Sequence, residues 1–295
     1  MKALTTRTAF AGALTAFLLP AFALAEDVGE VGAPHPGQIG LQEPVTEVAR
    51  YIHWFHNDLL MPIIAAISLF VLALLLYVVW RFNEKANPTP SKTTHNTTIE
   101  IAWTIIPVLI LVVIAIPSFR LLALQLTIPP SDLQIKVTAS QWHWSYAYPK
   151  DKDGAGGFGF DSFIKEDKDL KPGNGDIRLL SVDNEVVVPV NKTVLLQVTS
   201  ADVIHSFVIP SFGIRIDAVP GRLNETWFKA EKEGVYYGQC SKLCGKDHAF
   251  MPIEFRVVSD EKYQTWLADA QKKFAVAEPS TDVAEAAPTQ PAAAR

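Results

Sequence analysis

The chain has 295 residues, a formal net charge of -5, 49% hydrophobic residues and only 19% charged ones. That length suits one or two domains, and the scarcity of charge points to a membrane protein. The mild acidity excludes a nucleic-acid binder that works through a basic face.

Residues 1–25 read as a secretory signal: Lys2 and Arg7 precede the apolar Phe10–Pro20, and Ala23-Leu24-Ala25 forms a small-residue cleavage site before Glu26. Cleavage would place the mature amino terminus outside the membrane. Residues 26–58 form a polar, then weakly amphipathic segment on that outer side. In it His53 and His56 flank Trp54-Phe55, a pattern that suits an interfacial approach helix better than a metal site.

Residues 59–126 read as a two-helix hairpin. Leu59–Trp80 carries no charge, which is long enough to span a bilayer, and Ile101–Phe119 is a second uncharged run. Between them Arg81, Lys85 and Lys92 mark a cytoplasmic loop, with Pro88 and Pro90 turning the chain. Two spans return the chain to the outer side, in agreement with the signal sequence. Glu100 lies at the cytoplasmic mouth of the second span. A carboxylate at membrane depth is a functional candidate, and it is equally a helix-starting acid that suits the dipole. Arg120 ends the second span and can reach the outer surface.

From residue 127 to 275 the pattern changes to period-2 alternation, in Leu133–Val137, Val194–Val198, Ile214–Val219 and Glu254–Val258, with late strands over Val235–Gln239 and Pro252–Val258. Pro172-Gly173-Asn174-Gly175 and Pro220-Gly221 supply turns. Short strands and turns of this kind predict an all-β sandwich or barrel. Ser259 is placed to cap a helix over Asp260–Phe274. Residues 276–295 are rich in Ala, Pro and Glu and read as a disordered tail. In Gln141-Trp142-His143-Trp144-Ser145-Tyr146-Ala147-Tyr148 the four large aromatics share one face if the stretch is a strand. Spacing alone favours a core stripe; the sharper reading makes an exposed Trp a docking point near a metal.

Cys240-Ser241-Lys242-Leu243-Cys244-Gly245-Lys246-Asp247-His248-Ala249-Phe250-Met251 sets two thiols, an imidazole and a thioether at C-x3-C-x3-H-x2-M. These soft and borderline donors select copper over calcium, magnesium or manganese. A single-copper loop carries one Cys; the second thiolate here doubles the bridging capacity. With His205 upstream, the reading is a two-copper electron-transfer centre. Its rivals are a Cys240–Cys244 disulfide, which would leave His248 and Met251 without a purpose, and zinc, which does not explain the Met.

These stretches together resemble subunit II of haem–copper cytochrome c oxidases of the alphaproteobacterial and mitochondrial kind. The resemblance rests on Trp103–Pro107, Gln141–Tyr146, Leu180–Asn184, His205-Ser206-Phe207, Asp217–Arg222 and Tyr237–Pro252. It implies a cupredoxin-like β-barrel on a membrane hairpin, in the bacterial inner membrane with the barrel and both mature termini periplasmic. It also implies a dinuclear CuA centre held by His205, Cys240, Cys244, His248, Met251 and the backbone carbonyl of Lys242. Electrons from cytochrome c would arrive at Trp142 and pass to haem in subunit I, where oxygen is reduced and protons are pumped. Glu100 would open a proton path into that subunit. Subunits I and III, cytochrome c and the bilayer are the implied partners, and Asp161, Asp183 and Asp202 are candidate docking acids. Relatives carry Glu where this chain has Lys242, and that Glu also reaches a magnesium ion shared with subunit I. An ammonium cannot do so, and no family-type magnesium ligand is expected from this chain. A quinol-oxidase subunit without copper and a membrane-anchored copper carrier are the alternatives; copper stoichiometry separates all three.

Overall fold

A computed structural model describes residues 32–150, 156–171 and 175–274. The signal sequence of residues 1–25 and the tail of residues 276–295 lie outside the described residues.

Thr46 starts the first helix. Its hydroxyl oxygen accepts from the Ala49 N–H at 3.0 Å and donates to the Phe212 carbonyl at 2.8 Å, so one side chain caps the helix and pins it to the β domain. Helix α1 (Glu47–Trp54) runs through a π-helical stretch (Phe55–Leu60) into α2 (Met61–Arg81). The sequence reading ended an outer segment at residue 58; the helix continues through that point. Pro62 explains the π stretch: it has no N–H for the carbonyl four residues back, and the turn before it widens to compensate. At 1.5 Å per residue the 35 residues of Glu47–Arg81 span about 52 Å, well beyond the ~30 Å hydrocarbon core. The excess lies at the amino-terminal end, where α1 packs on the β domain. Arg50 makes two bonds to Glu231, at 2.6 and 2.9 Å. Gly213, at φ +68, lies so close that a Cβ there would stand 2.9 Å from the Ala49 backbone.

Asn96 caps α3 (Thr97–Leu126), accepting from Thr98 and Ile99. Pro107 and Pro117 lie inside this helix, as membrane helices tolerate. Tyr51 donates to the Pro117 carbonyl at 3.2 Å and ties α1 to the returning span. The side chains of α2 and α3 are exposed all round, with Leu69, Trp80, Leu111 and Phe119 each over 60% accessible. Such helices need a lipid or protein environment.

The β domain comprises β1 (Leu133–Ser140), β2 (His143–Tyr148), β3 (Phe158–Ser162), β4 (Val186–Pro189), β5 (Thr193–Ser200), β6 (His205–Ile209), β7 (Ile214–Ala218), β8 (Asn224–Lys229), β9 (Gly234–Cys240) and β10 (Pro252–Val258). One sheet has the order β3-β2-β1-β5-β8 and the other β4-β10-β9-β6-β7. The β1–β5 and β10–β4 pairs are parallel, and the remaining pairs antiparallel. Helix α4 (Asp260–Phe274) begins at Ser259, whose hydroxyl accepts from Lys262. Inward residues of both sheets meet in an aromatic core in which Trp144, Phe207, Phe212, Phe228 and Phe255 are essentially inaccessible. Each large apolar side chain buried this way contributes roughly 1.5–3 kcal/mol relative to exposure.

Two core tyrosines differ in their hydroxyls. Tyr148 donates to the Val187 carbonyl at 2.9 Å and accepts from the Val187 N–H. The buried Tyr146 hydroxyl has no partner among the described residues. Tyr148→Phe is therefore expected to destabilise by about 1–2 kcal/mol, whereas Tyr146→Phe is neutral or mildly stabilising, because an unsatisfied group is removed. Thermal unfolding of the full chain checks the contrast; a larger loss for Tyr146→Phe contradicts it.

The outer face of β10 carries a buried carboxylate. Glu254 is 5% exposed, and it accepts from the Val182 N–H at 2.8 Å. Burial pushes it from 4.5 up to about 7; Glu185 adds to the rise, while the Val182 N–H, Lys165 and Arg256 oppose it. A raised acid favours the folded state while it is protonated. Its contribution is complete below pH 4.5 and is lost as pH climbs through 7, a change on the order of 3 kcal/mol from both shifted ends. Glu254→Gln is expected to flatten stability between pH 5 and 8 and to raise it at pH 8, as denaturant titrations at the two pH values would show. An unchanged slope means that Glu254 does not titrate in this window.

Candidate metal centre

Three strands and one loop bring the donors together. His205 opens β6, Cys240 closes β9, and residues 241–251 loop across to β10 with Cys244, His248 and Met251. The pairing Phe207↔Cys240 sets β6 and β9 in register, and Gln239↔Pro252 closes the base of the loop. The Cys240 sulfur lies 3.8 Å from His205 Nδ1, 3.8 Å from the Cys244 sulfur and 3.3 Å from the Lys242 carbonyl oxygen. The Cys244 sulfur lies 3.4 Å from His248 Nδ1 and 3.7 Å from the Met251 sulfur. The five side chains read from the sequence, and the carbonyl that the resemblance implies, thus converge. His205, both cysteines and Met251 are buried. The two thiols are free, which sets the disulfide reading aside.

Electrostatics splits the thiols. Burial pushes both up; beside His205, Cys240 nevertheless comes down to about 6, while Cys244 faces the Cys240 sulfur and goes up to about 12. The second proton therefore leaves only when positive charge compensates for it, as a bound metal does. Burial works against protonation of His205, but its bonds to Cys240 and Asp202 outweigh that and hold it above its ordinary value. Burial likewise raises Asp202, and His205 with two backbone N–H groups brings it below the usual carboxylate range.

Copper fits this donor set. Two sulfurs able to bridge, two imidazoles, a thioether and a carbonyl make six donors, more than a closed four-coordinate zinc site uses. The thioether and the two thiols favour a soft metal.

Support for these donors comes from residues that sequence reasoning did not assign to the site. Asp202 Oδ1 accepts from His205 Nε2 at 2.9 Å, which leaves Nδ1 free to face the sulfurs. Its other oxygen accepts from the Gln141 N–H at 2.6 Å. Gln141 in turn donates to the Cys244 carbonyl at 2.9 Å. Trp144 donates to the Met251 carbonyl at 3.0 Å and packs edge-on to His205. Only the crowded Gln141–Trp144 stretch hinted at any of this.

Trp142 departs from the expected strand face. β2 begins at His143, and Gln141-Trp142 forms the turn between Ser140 and His143. Trp144, Tyr146 and Tyr148 point into the core, while Trp142 turns outward, half-buried, against the metal loop. Its N–H donates to the Cys244 carbonyl at 3.3 Å, and Lys246 stands 5.6 Å over the ring. Gly245 permits this approach, since a Cβ there would lie 2.7 Å from the indole.

Of the three acids expected at a docking face, Asp202 is committed inward, to His205, Gln141 and Val203. Asp161, 56% exposed, accepts from Ser145 at 2.6 Å and lies 3.9 Å from His143. Asp183 accepts from the Phe163 N–H, and Phe163 stacks on His143 at 4.5 Å. Both therefore lie near the Trp142 turn. Glu100 is far away, near the other end of α3, where its carboxylate accepts from the Asn96 N–H at 3.2 Å. The helix-starting role is thus filled, among Thr97, Ile101, Thr104 and Ile105.

Comparison with known proteins agrees with this architecture. Residues 34–121 match the family described as "Cytochrome C oxidase subunit II, transmembrane domain", and residues 133–258 match "Cytochrome C oxidase subunit II, periplasmic domain". A "Probable cytochrome c oxidase subunit 2" of Rickettsia bellii is 51% identical over 247 residues, covering 84% of this chain and 89% of that one. The cytochrome c oxidase subunit 2 of Cereibacter sphaeroides is 45% identical, over 82% of this chain and 83% of its own length. The solved periplasmic domain of subunit II of cytochrome oxidase from Bradyrhizobium japonicum is 59% identical over 50% of this chain and 99% of that one, with a TM-score of 0.45. With the hairpin and the β domain both matched and relatives aligned along most of their length, the chain belongs to the cytochrome c oxidase subunit II family.

Proposed function

We propose that this chain takes electrons from cytochrome c at a dinuclear copper centre and passes them to haem in subunit I, for reduction of oxygen coupled to proton pumping. The observation that carries this reading is the convergence of His205, Cys240, Cys244, His248, Met251 and the Lys242 carbonyl within contact distance of one another. His205, Cys240, Cys244, His248, Met251 and the Lys242 carbonyl would hold the copper, which would supply a one-electron carrier.

The residues have separate duties. Asp202 fixes the ring of His205, Trp144 anchors Met251, and the buried sulfurs exclude water. Gln141 and Trp142 both hold the Cys244 carbonyl, so the exposed edge of Trp142 is joined to the site by one hydrogen bond. His248 faces the departing side, towards subunit I. Subunit III, the bacterial inner membrane and a periplasmic orientation of the β domain complete the proposed setting. Glu100 opens a proton path into subunit I while it closes the first turn of α3. The ammonium of Lys242 replaces part of the charge of a magnesium ion. Metal analysis and electron paramagnetic resonance of the purified full chain are expected to give two coppers sharing one unpaired electron, and no magnesium held directly by its side chains. One exchangeable copper, or none, overturns the reading.

Asp161 and Asp183 form the acidic side of the docking face. Steering by such charges raises association rates and fades with salt. Turnover with a basic cytochrome c is expected to fall several-fold as ionic strength rises from about 0.01 to 0.15 M, where the screening length drops from roughly 30 to 8 Å. A salt-independent rate removes the steering proposal.

A further inference from the structure

Among the described residues Glu254 is the only buried acid, and nothing in the electron path so far uses it. Ile253, Phe255 and Val257 of β10 face the core, so Glu254 looks out on the other face of that sheet. Its neighbour across β9 is Tyr237. Tyr237 clusters with Val235 and Ala33, and Ile177 and Leu180 pack against them. Residues 177–182 therefore lie on this outer face. The charged groups around Glu254 are Arg256 on its own strand, Glu185 before β4, and Lys165. Arg256 donates to Glu185 at 2.7 Å, and Lys165 donates to Asp176 at 2.7 Å.

The segment tied to Glu254 carries part of the docking face. Glu254 accepts from the Val182 N–H at 2.8 Å. Val182 bridges Ile164, and the residues on either side of it are bound to the same strip. The Lys165 N–H donates to the Ser181 carbonyl at 2.9 Å. Asp183 donates its N–H to the Phe163 carbonyl at 2.9 Å, and its carboxylate accepts from the Phe163 N–H at 2.8 Å. Phe163 stacks on His143 at 4.5 Å, and His143 follows Trp142 in the chain. Local preference does not hold this segment in shape, because Leu179 sits at φ +68, where bulky residues are rare. Its contacts hold it, and the bond to Glu254 ties it to the sheet.

We propose that Glu254 is a positioning residue for electron uptake, which holds Asp183 and Phe163 against the Trp142 turn while its carboxyl is protonated and releases them as it ionises. The proposal deepens the reading of that turn as the docking face, and it rests on that reading. Burial is the main reason the proton stays on, pushing the carboxyl up to about 7. A neutral carboxyl is tolerated away from water, whereas a carboxylate draws water in and loosens the anchor at Val182. The hold is complete at low pH and is lost as pH rises through about 7.

The test follows the copper-loaded full chain by two measurements at fixed ionic strength, between about pH 6 and 8.5. Stopped-flow mixing with reduced basic cytochrome c gives the rate constant of electron uptake. Hydrogen exchange, corrected for its intrinsic pH dependence, gives the protection of residues 163–166 and 181–183. In the parent both are expected to fall several-fold as pH rises. Glu254→Gln keeps an acceptor for the Val182 N–H and cannot ionise; its rate and protection should stay high and flat. Glu254→Leu removes the acceptor and should show low protection and slow uptake at both ends of the range, with parent-like copper loading. A pH profile in Glu254→Gln that matches the parent's would assign the dependence to another group, such as His143, and overturns the proposal. Parent-like uptake by Glu254→Leu at pH 6 overturns it too. If the parent holds no copper pair, uptake fails at every pH and the reading of the metal centre fails with it, while the exchange data still decide whether Glu254 holds the segment.

Discussion

Cys244→Ser is expected to eliminate the mixed-valence copper spectrum completely while the chain still inserts and folds. Cys244 is the hub of the donor set, within 3.8 Å of the Cys240 sulfur, 3.4 Å of His248 Nδ1 and 3.7 Å of the Met251 sulfur. A serine oxygen is shorter, hard and un-ionised at neutral pH, and it cannot bridge two soft ions. The fold should tolerate the change because residue 244 lies in the loop, while Gln239↔Pro252 pairing closes the strands beneath it. Met251→Leu is the informative contrast. It keeps buried volume, which usually costs under about 1.5 kcal/mol, and deletes only a weak ligand. That variant should keep a two-copper signal with a shifted potential. Resonance spectra at matched copper loading, with circular dichroism as the fold control, decide the matter. A parent-like spectrum in Cys244→Ser would show that the ligand set is wrong.

Much of this donor cluster was legible because four donors, two thiols, an imidazole and a thioether, fall within twelve residues. His205 could be added by donor type, although it lies 35 positions before Cys240. The carbonyl of Lys242 came only from family resemblance, since a backbone ligand leaves no mark on side-chain identity. Strands that alternate cleanly, such as Thr193–Ser200, were equally readable, and Ser259 marked the start of α4. β4 was not: all four of its residues are buried, because the chain covers its outer face as well, and alternation disappears. Trp142 was misplaced for a related reason. A two-residue turn inside Gln141–Tyr148 keeps the same alternating letters as an unbroken strand, and only pairing between Ser140 and His143 reveals the break. The joining of α1 to α2 was hidden because residues before Leu59 are polar enough to look like a separate segment, although nothing between Glu47 and Met61 breaks a helix.

Asp202 is the residue whose meaning changed most between sequence and structure, and its removal is the second large effect expected. An acid three residues before a strand, near a supposed docking face, looks like a surface charge. In the fold its two oxygens receive His205 Nε2, the Val203 N–H and the Gln141 N–H. It therefore sets which nitrogen of His205 faces the sulfurs, and it also holds the turn that carries Trp142. Partners of this kind are worth about 10–100-fold in metal affinity. Asp202→Ala is expected to weaken copper binding by that order, because the buried His205 loses the acceptor that selects its tautomer. It should also slow electron uptake from cytochrome c at saturating copper, because the Gln141–Trp142 turn loses an anchor. Asp202→Asn keeps an acceptor oxygen and should recover much of the affinity. Chelator-competition titrations measure the first effect, and stopped-flow reduction of the copper-loaded protein measures the second. If Asp202→Ala instead binds copper normally and changes only the salt dependence of the cytochrome c reaction, then Asp202 belongs to the docking face after all, and His205 is oriented by the β6 strand and the edge of Trp144 alone.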